Sequence, residues 1–227
     1  MTTTAEQSHG VTTPKKFELC FVGDRSGSMT TMGEAPWKGV LNWTNDQAGE
    51  ARKNNHDTRI TVVFFDDEST CVVDSASASH FIDITPEQAQ KWMKPRGCTR
   101  LFDTTIEELE ILRNKKNKRG QDCEAVFALF TDGRDNVSEK NLSEMNKAVK
   151  NAREEGIVCY FLAANQDAIA TGHRYGFDRD RCLTTGADPE TSSQAYKNLS
   201  EAVYRSINTP HLDKGFTQLE RESSAPL

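Results

Sequence analysis

Asp24, Ser26 and Ser28 lie two residues apart in Gly23-Asp24-Arg25-Ser26-Gly27-Ser28-Met29, at the end of an apolar run that starts at Phe17. One carboxylate and two hydroxyls at that spacing can converge on a single point when the backbone is extended or turns tightly. All three donate oxygen, and oxygen-only donor sets suit hard divalent cations, Mg²⁺, Mn²⁺ or Ca²⁺. Two later stretches deliver further oxygens at comparable places. Gly97 to Asp103 (G-C-T-R-L-F-D) presents Thr99 just ahead of a helical pattern, and Ala125 to Gly133 (A-V-F-A-L-F-T-D-G) is a second apolar run that ends by delivering Asp132. Alone, Asp-x-Ser-x-Ser is a weak signal, because Asp and Ser often satisfy only the backbone of a turn. Three such segments in this order make a strong one.

The elements that must position these loops alternate between buried runs and helical periods. Strands are expected at Phe17–Val22, Arg59–Phe65, Cys123–Phe130 and Ile157–Ala163, with a minimal edge strand at Arg181–Leu183. Asp66 to Ser69 reads as a hairpin turn into an antiparallel strand at Thr70–Asp74. Helices are expected at Ala35–Lys53, with Trp37, Leu41, Thr44, Ala48 and Ala51 on one face, and at Asp103–Lys116. Others are a turn over Glu87–Met93, a helix capped by Ser138 and closed by Gly156, a short one within Asn165–Gly176, and a last one opened by Pro189. The alternation implies an α/β, doubly wound, mostly parallel sheet with one antiparallel edge strand and helices on both faces. Ligands of such sheets gather beyond the carboxyl ends of the strands, where all three donor loops fall. Residues 1–16 read as a flexible lead-in, 17–207 as one domain, and 208–227 as a flexible tail that could dock through Leu212 or Phe216.

The arrangement resembles the von Willebrand factor A domain and its metal-ion-dependent adhesion site. That pattern runs D-x-S-x-S, then a Thr in a G-x-T-x-L-x-D-like loop, then a strand ending in T-D-G; Asp24, Ser26, Ser28, Thr99 and Asp132 match it. The resemblance covers roughly residues 17–207. It implies a cation bound directly by the serines, and directly or through water by the Asp and Thr positions, with one coordination position left for an outside ligand. With only Asp24 and Asp132 to neutralise it, the ion stays electrophilic and favours a Glu or Asp carboxylate from a partner protein. Arg25, Arg100 and Arg134 follow the ligand positions. They are expected either to rim the site and steer an acidic segment onto it, or to pair with Asp103 or Asp135. Ala163–Gly176 looks like the equivalent stretch of bacterial and phage-encoded A domains. An alternative context is that of relatives resembling adaptor subunits of AAA+ ATPases, working through other surfaces.

Composition narrows the partners. With 28 basic against 34 acidic residues the net charge is −6, which disfavours nucleic acid and anionic membrane as partners. No apolar stretch has signal-peptide or membrane-span length, so a cytoplasmic protein is expected. Six cysteines make no C-x-x-C motif. Cys20, Cys71, Cys123, Cys159 and Cys182 fall in expected strands and read as core thiols, whereas Cys98, beside Thr99, is a candidate redox-sensitive thiol. The basic run Arg113–Arg119 reads as a solvated helix end. An enzyme is not expected. Phosphotransferases of the haloacid-dehalogenase type would need an aspartate where Ser26 stands, there is no P-loop, and His9, His56, His80, His173 and His211 are scattered.

Overall fold

Apolar runs without polar alternation cannot be half-exposed strands, and here they become the centre of a sheet. The computed structural model describes residues 14–79, 84–211, 213 and 215–226. Its sheet has six strands: β1 (Lys16–Asp24), β2 (Asp57–Phe65), β3 (Ser69–Ser77), β4 (Cys123–Thr131), β5 (Ile157–Ala164) and β6 (Cys182–Thr185), in the order β3-β2-β1-β4-β5-β6. All neighbours are parallel except β2 and β3. Side chains alternate between two cores. Leu19 and Phe21 of β1 face α1 (Ala35–Lys53) and α6 (Pro189–Asn208), while Cys20 and Val22 face α3 (Leu101–Arg119), α4 (Leu142–Glu154) and α5 (Ala168–Tyr175). A short helix, α2 (Pro86–Trp92), precedes the Thr99 loop. Among the described residues no helix is long and apolar enough to cross a membrane.

Several local expectations are corrected. The buried face of α1 runs through Val40, Trp43, Thr44, Gln47, Ala48 and Ala51, so Trp43, not Leu41, sits at its centre. Asn141, not Ser138, caps α4, in a capping box with Glu144. Cys71 is exposed, because β3 is an edge strand with only partly covered faces. The stretch 208–227, expected to be a flexible tail, carries a helix, α7 (Gln218–Ser224). Arg205 of α6 pairs with its Glu220 (2.8 Å), and Asn198 donates to the Ser224 hydroxyl (2.8 Å). Phe216 is buried edge-on against Tyr160, and Leu212 lies outside the described residues.

The basic run at the end of α3 is not solvated throughout, because β1 carries a buried acid beneath it. Arg119 pairs with Glu18 (3.1 Å) and Asp57 (2.7 Å), and Lys115 reaches Thr61 (3.0 Å) and Asp74 (2.6 Å). On the same helix Glu108 is buried and accepts no hydrogen bond from any described residue. Burial pushes its carboxyl up to about 7 against the pull of Lys115, with Glu107 and Asp74 adding to the rise. A folded value above the unfolded one gives stability that is present at low pH and lost as pH rises through about 7. Glu108→Gln is therefore expected to melt close to wild type at pH 5 and to be more stable by roughly 1–3 kcal/mol at pH 8. Equal melting at both pH values would contradict this reading of the seam.

Candidate metal centre

Parallel pairing of β1 with β4, Gly23 opposite Phe130, brings the last residues of two central strands to one edge. Asp24, fully buried, accepts the Ser26 N–H at Oδ1 (2.7 Å) and the Thr131 hydroxyl at Oδ2 (2.6 Å). The Ser26 and Ser28 hydroxyls are 3.1 Å apart, and Ser28 donates to Asp132 Oδ1 (2.8 Å). Thr99 arrives from the mouth of α3. The point at which a Cβ on Gly133 would stand lies 3.4 Å from Thr99 Oγ1, 3.7 Å from Asp24 Oδ2 and 3.7 Å from Ser28 Oγ. Oxygens of the Asp24 and Thr99 loops thus face one small space beside Gly133, and the Ser28 bond ties Asp132 of the third loop to its edge. Two carboxylates and three hydroxyls, with no nitrogen or sulfur, fit a hard divalent ion. Among the described residues no group of three or more His, Cys, Asp or Glu gathers as a metal site, so a cation here would rely on two carboxylates and the hydroxyls.

The electrostatics point the same way. Burial pushes Asp24 up to about 6, against its hydrogen bonds from Thr131 and Ser26, and the Asp132 charge adds to the rise. Asp132 is raised as well, chiefly by burial and against the Ser28 bond. Asp24, out of water, and the half-buried Asp132 are thus both held toward the protonated form, a state that a bound cation would displace.

The loop after Asp132 clasps the Thr99 loop. The Thr99 N–H donates to Asn136 Oδ1 (2.8 Å), and Asn136 N–H returns to the Thr99 carbonyl (3.1 Å). Ser138, expected to cap its own helix, instead accepts the Phe102 and Asp103 N–H groups (both 3.1 Å) and so caps α3 from outside. Asp103 in turn accepts from Glu139 (3.0 Å) and Lys140 (2.8 Å). Asn136 went unnoticed in the sequence; the one available signal was its place three residues after the T-D-G turn.

The arginines divide. Arg25, expected either to rim the site or to pair with Asp103 or Asp135, does neither: it is buried and donates to Asp66 (2.8 Å), Thr70 (2.8 Å) and the Trp92 carbonyl (3.3 Å), because Asp66 is itself buried and needs a counter-charge. Arg100 is held by Glu107 through two bonds (2.9 and 2.8 Å) and by Asp103 (3.2 Å). Arg134 is exposed and makes no ion pair among the described residues. Cys98 is exposed, but the Asp67 carboxylate beside it pushes its thiol up, which opposes the thiolate a redox sensor needs. His56 packs at a tilt against Phe17 near the opposite end of β1, and His9 and His80 lie outside the described residues.

The profile of the von Willebrand factor type A domain matches residues 18–198. The chain belongs to that family. Domains of the family are metal-dependent protein-interaction modules. None of the curated proteins matches the chain. Among solved structures it is similar to proximal thread matrix protein 1 of the mussel byssus, with 17% identity and a TM-score of 0.58 over 83% of this chain and 46% of that one. This von Willebrand factor A chain therefore spans about half the length of that relative. A further structure of the same byssus protein has a zinc-occupied metal-ion-dependent adhesion site (16% identity, TM-score 0.56, 84% of this chain and 46% of that one). The von Willebrand factor domain of the type V pili tip protein Mfa5 of Porphyromonas gingivalis is similar over 87% of this chain and 98% of its own, at 12% identity and a TM-score of 0.60. At these identities the likeness carries the fold.

Proposed function

We propose that Asp24, Ser26, Ser28, Thr99 and Asp132 form a complete metal-ion-dependent adhesion site through which this domain captures a Glu or Asp carboxylate of a partner protein. The observation that carries this reading is the convergence of Asp24, Ser28 and Thr99 oxygens on the space beside Gly133, with Asp132 tied to it through Ser28. When bound, the cation supplies a Lewis-acidic position for the incoming carboxylate. Mg²⁺, Mn²⁺ and Ca²⁺ all suit the donors, and the zinc in the byssus protein supports a divalent ion at such a site. The chain's own residues do the rest. Thr131 orients Asp24 and Asn136 orients Thr99. Arg134, exposed one residue beyond Gly133, draws acidic segments toward the site, and Val137 further along the same loop is an exposed apolar side chain. A net charge of −6 favours a protein partner over nucleic acid or anionic membrane. Six free cysteines support a reducing, cytoplasmic setting, and among the described residues no histidine stands beside the acids as a general base for enzymatic turnover.

Immobilised protein is expected to retain acidic partners from a lysate of its source in Mn²⁺ and to release them in EDTA. A retained set indifferent to both EDTA and Asp132→Ala would sink the reading.

A further inference from the structure

Asp66 follows the last residue of β2, between two strands that contribute no metal-site donor, and its side chain is buried. Its Oδ2 accepts from two arginines at once, Arg25 Nε (2.8 Å) and Arg96 Nε (2.5 Å). Its Oδ1 is fixed by the Glu68 N–H (3.1 Å), and its carbonyl accepts the Arg100 N–H (2.9 Å). Arg25 stands between the donors Asp24 and Ser26, while Arg96 and Arg100 bracket the loop that carries Thr99. One aspartate therefore grips both donor loops. These loops also meet through backbone bonds, Arg96 N–H to the Arg25 carbonyl (2.9 Å) and Gly27 N–H to the Gly97 carbonyl (3.2 Å). Asp67 continues the grip: its carboxylate accepts the Cys98 N–H and lies 2.7 Å from where a Cβ on Gly97 (φ +64°) would stand.

We infer that Asp66 is a positioning residue of the metal centre, which sets Thr99 against Asp24 and Ser26 through Arg25 and Arg96. The inference rests on the metal reading above. Guanidinium groups bind carboxylates in a fixed plane, so a shared aspartate sets the relative placement of the loops as well as their attachment. Outer groups that orient metal ligands commonly change metal affinity by 10–100-fold when removed. A purely structural aspartate behaves differently: its loss lowers the unfolding midpoint and leaves the affinity of the folded molecule unchanged.

The test is Mn²⁺ binding, followed by electron paramagnetic resonance at 10 °C, to wild type, Asp66→Asn, Thr99→Ala and the double variant, with metal-free melting in parallel. Asp66→Asn is expected to weaken Mn²⁺ binding about tenfold in folded protein. The same change should have little further effect once Thr99 is alanine, because the two act through one donor. Wild-type affinity in folded Asp66→Asn overturns the inference, as does a full tenfold loss that persists beside Thr99→Ala. If Asp66→Asn does not fold, Arg96→Gln replaces it, since that side chain is 55% exposed and tolerates change. Its expected loss is about threefold, again absent beside Thr99→Ala, and unchanged affinity overturns the inference. Failure of wild type to bind Mn²⁺ at all is a different result: it removes the metal reading and this inference with it.

Discussion

Asp132→Ala is expected to erase the rise in unfolding midpoint that millimolar Mg²⁺ or Mn²⁺ gives the wild-type protein over EDTA. An ion that binds only the folded state at about a hundred times its Kd stabilises by roughly 2.7 kcal/mol. In a chain of this size 1 kcal/mol moves the midpoint by about 2–4 °C, so the wild-type rise should be about 5–10 °C. Asp132 is the better site for the test. Asp24 satisfies the Ser26 N–H and the Thr131 hydroxyl in a buried position, and removing it would unbalance the fold itself. Asp132 is half-buried and, among the described residues, accepts one hydrogen bond from another side chain, the Ser28 hydroxyl, so the metal-free variant should melt near wild type. The pH matters in a definite direction. Asp24 sits at about 6 in the metal-free fold, above its unfolded value, so its contribution to metal-free stability is lost as pH rises through about 6. The ion binds the ionised form, and its effect is therefore largest above that pH. Melting at pH 7.5 should show the full difference. A wild-type midpoint unmoved by metal, or a rise that survives in Asp132→Ala, would reject the site.

The proposed donors can be picked out in the sequence because their signal is local. Asp24, Ser26 and Ser28 lie within five residues, and Thr131-Asp132-Gly133 ends a run whose burial its own composition dictates. The parallel core was legible for the same reason: β1, β2, β4 and β5 are near-continuous apolar runs, and α1 falls at Ala35–Lys53 as its period requires. What escaped the sequence are side chains whose partners stand some 30–40 residues away. Arg25 reads as a surface cation, on the rim or in an ion pair, until Asp66 is seen behind it, and Asp66 reads as an ordinary turn residue until Arg25 and Arg96 are seen to share it. Ser138 has the type of a helix cap and is one, but for α3 and not for the helix that follows it. Helix α7 was missed because seven residues are too few to show a period, and its attachment comes from Asn198 and Arg205 of α6.

Gly39→Ala should be among the most destabilising small substitutions in this chain, against the usual sign for a helix. In a helix interior alanine is favoured over glycine by about 1 kcal/mol. Gly49 of α1 shows that case: nothing lies within 4 Å of an added Cβ, and Gly49→Ala should stabilise by up to about 1 kcal/mol. At Gly39 the added carbon would land inside the Tyr196 ring, far closer than van der Waals contact to Cδ2, Cε2 and Cγ. The ring has nowhere to retreat. It is fully buried on α6, with Phe130 at 5.0 Å and Phe21 at 6.0 Å between ring centroids on the sheet side. Packed interiors transmit such a displacement and do not absorb it. Helices α1 and α6 must separate, and overpacking of this kind costs about 1–3 kcal/mol or more, enough to outweigh the helix preference. A midpoint several degrees below wild type is expected for Gly39→Ala, and one at or slightly above wild type for Gly49→Ala. The consequence reaches the metal edge, since Phe21 stands three residues before Asp24 on β1 and Phe130 two before Asp132 at the end of β4. A ring pushed toward the sheet presses on the two strands whose ends carry the carboxylates, so Mn²⁺ affinity should fall together with stability in Gly39→Ala and stay unchanged in Gly49→Ala. If Gly39→Ala melted as high as Gly49→Ala, the close seat of Tyr196 against α1 would be wrong.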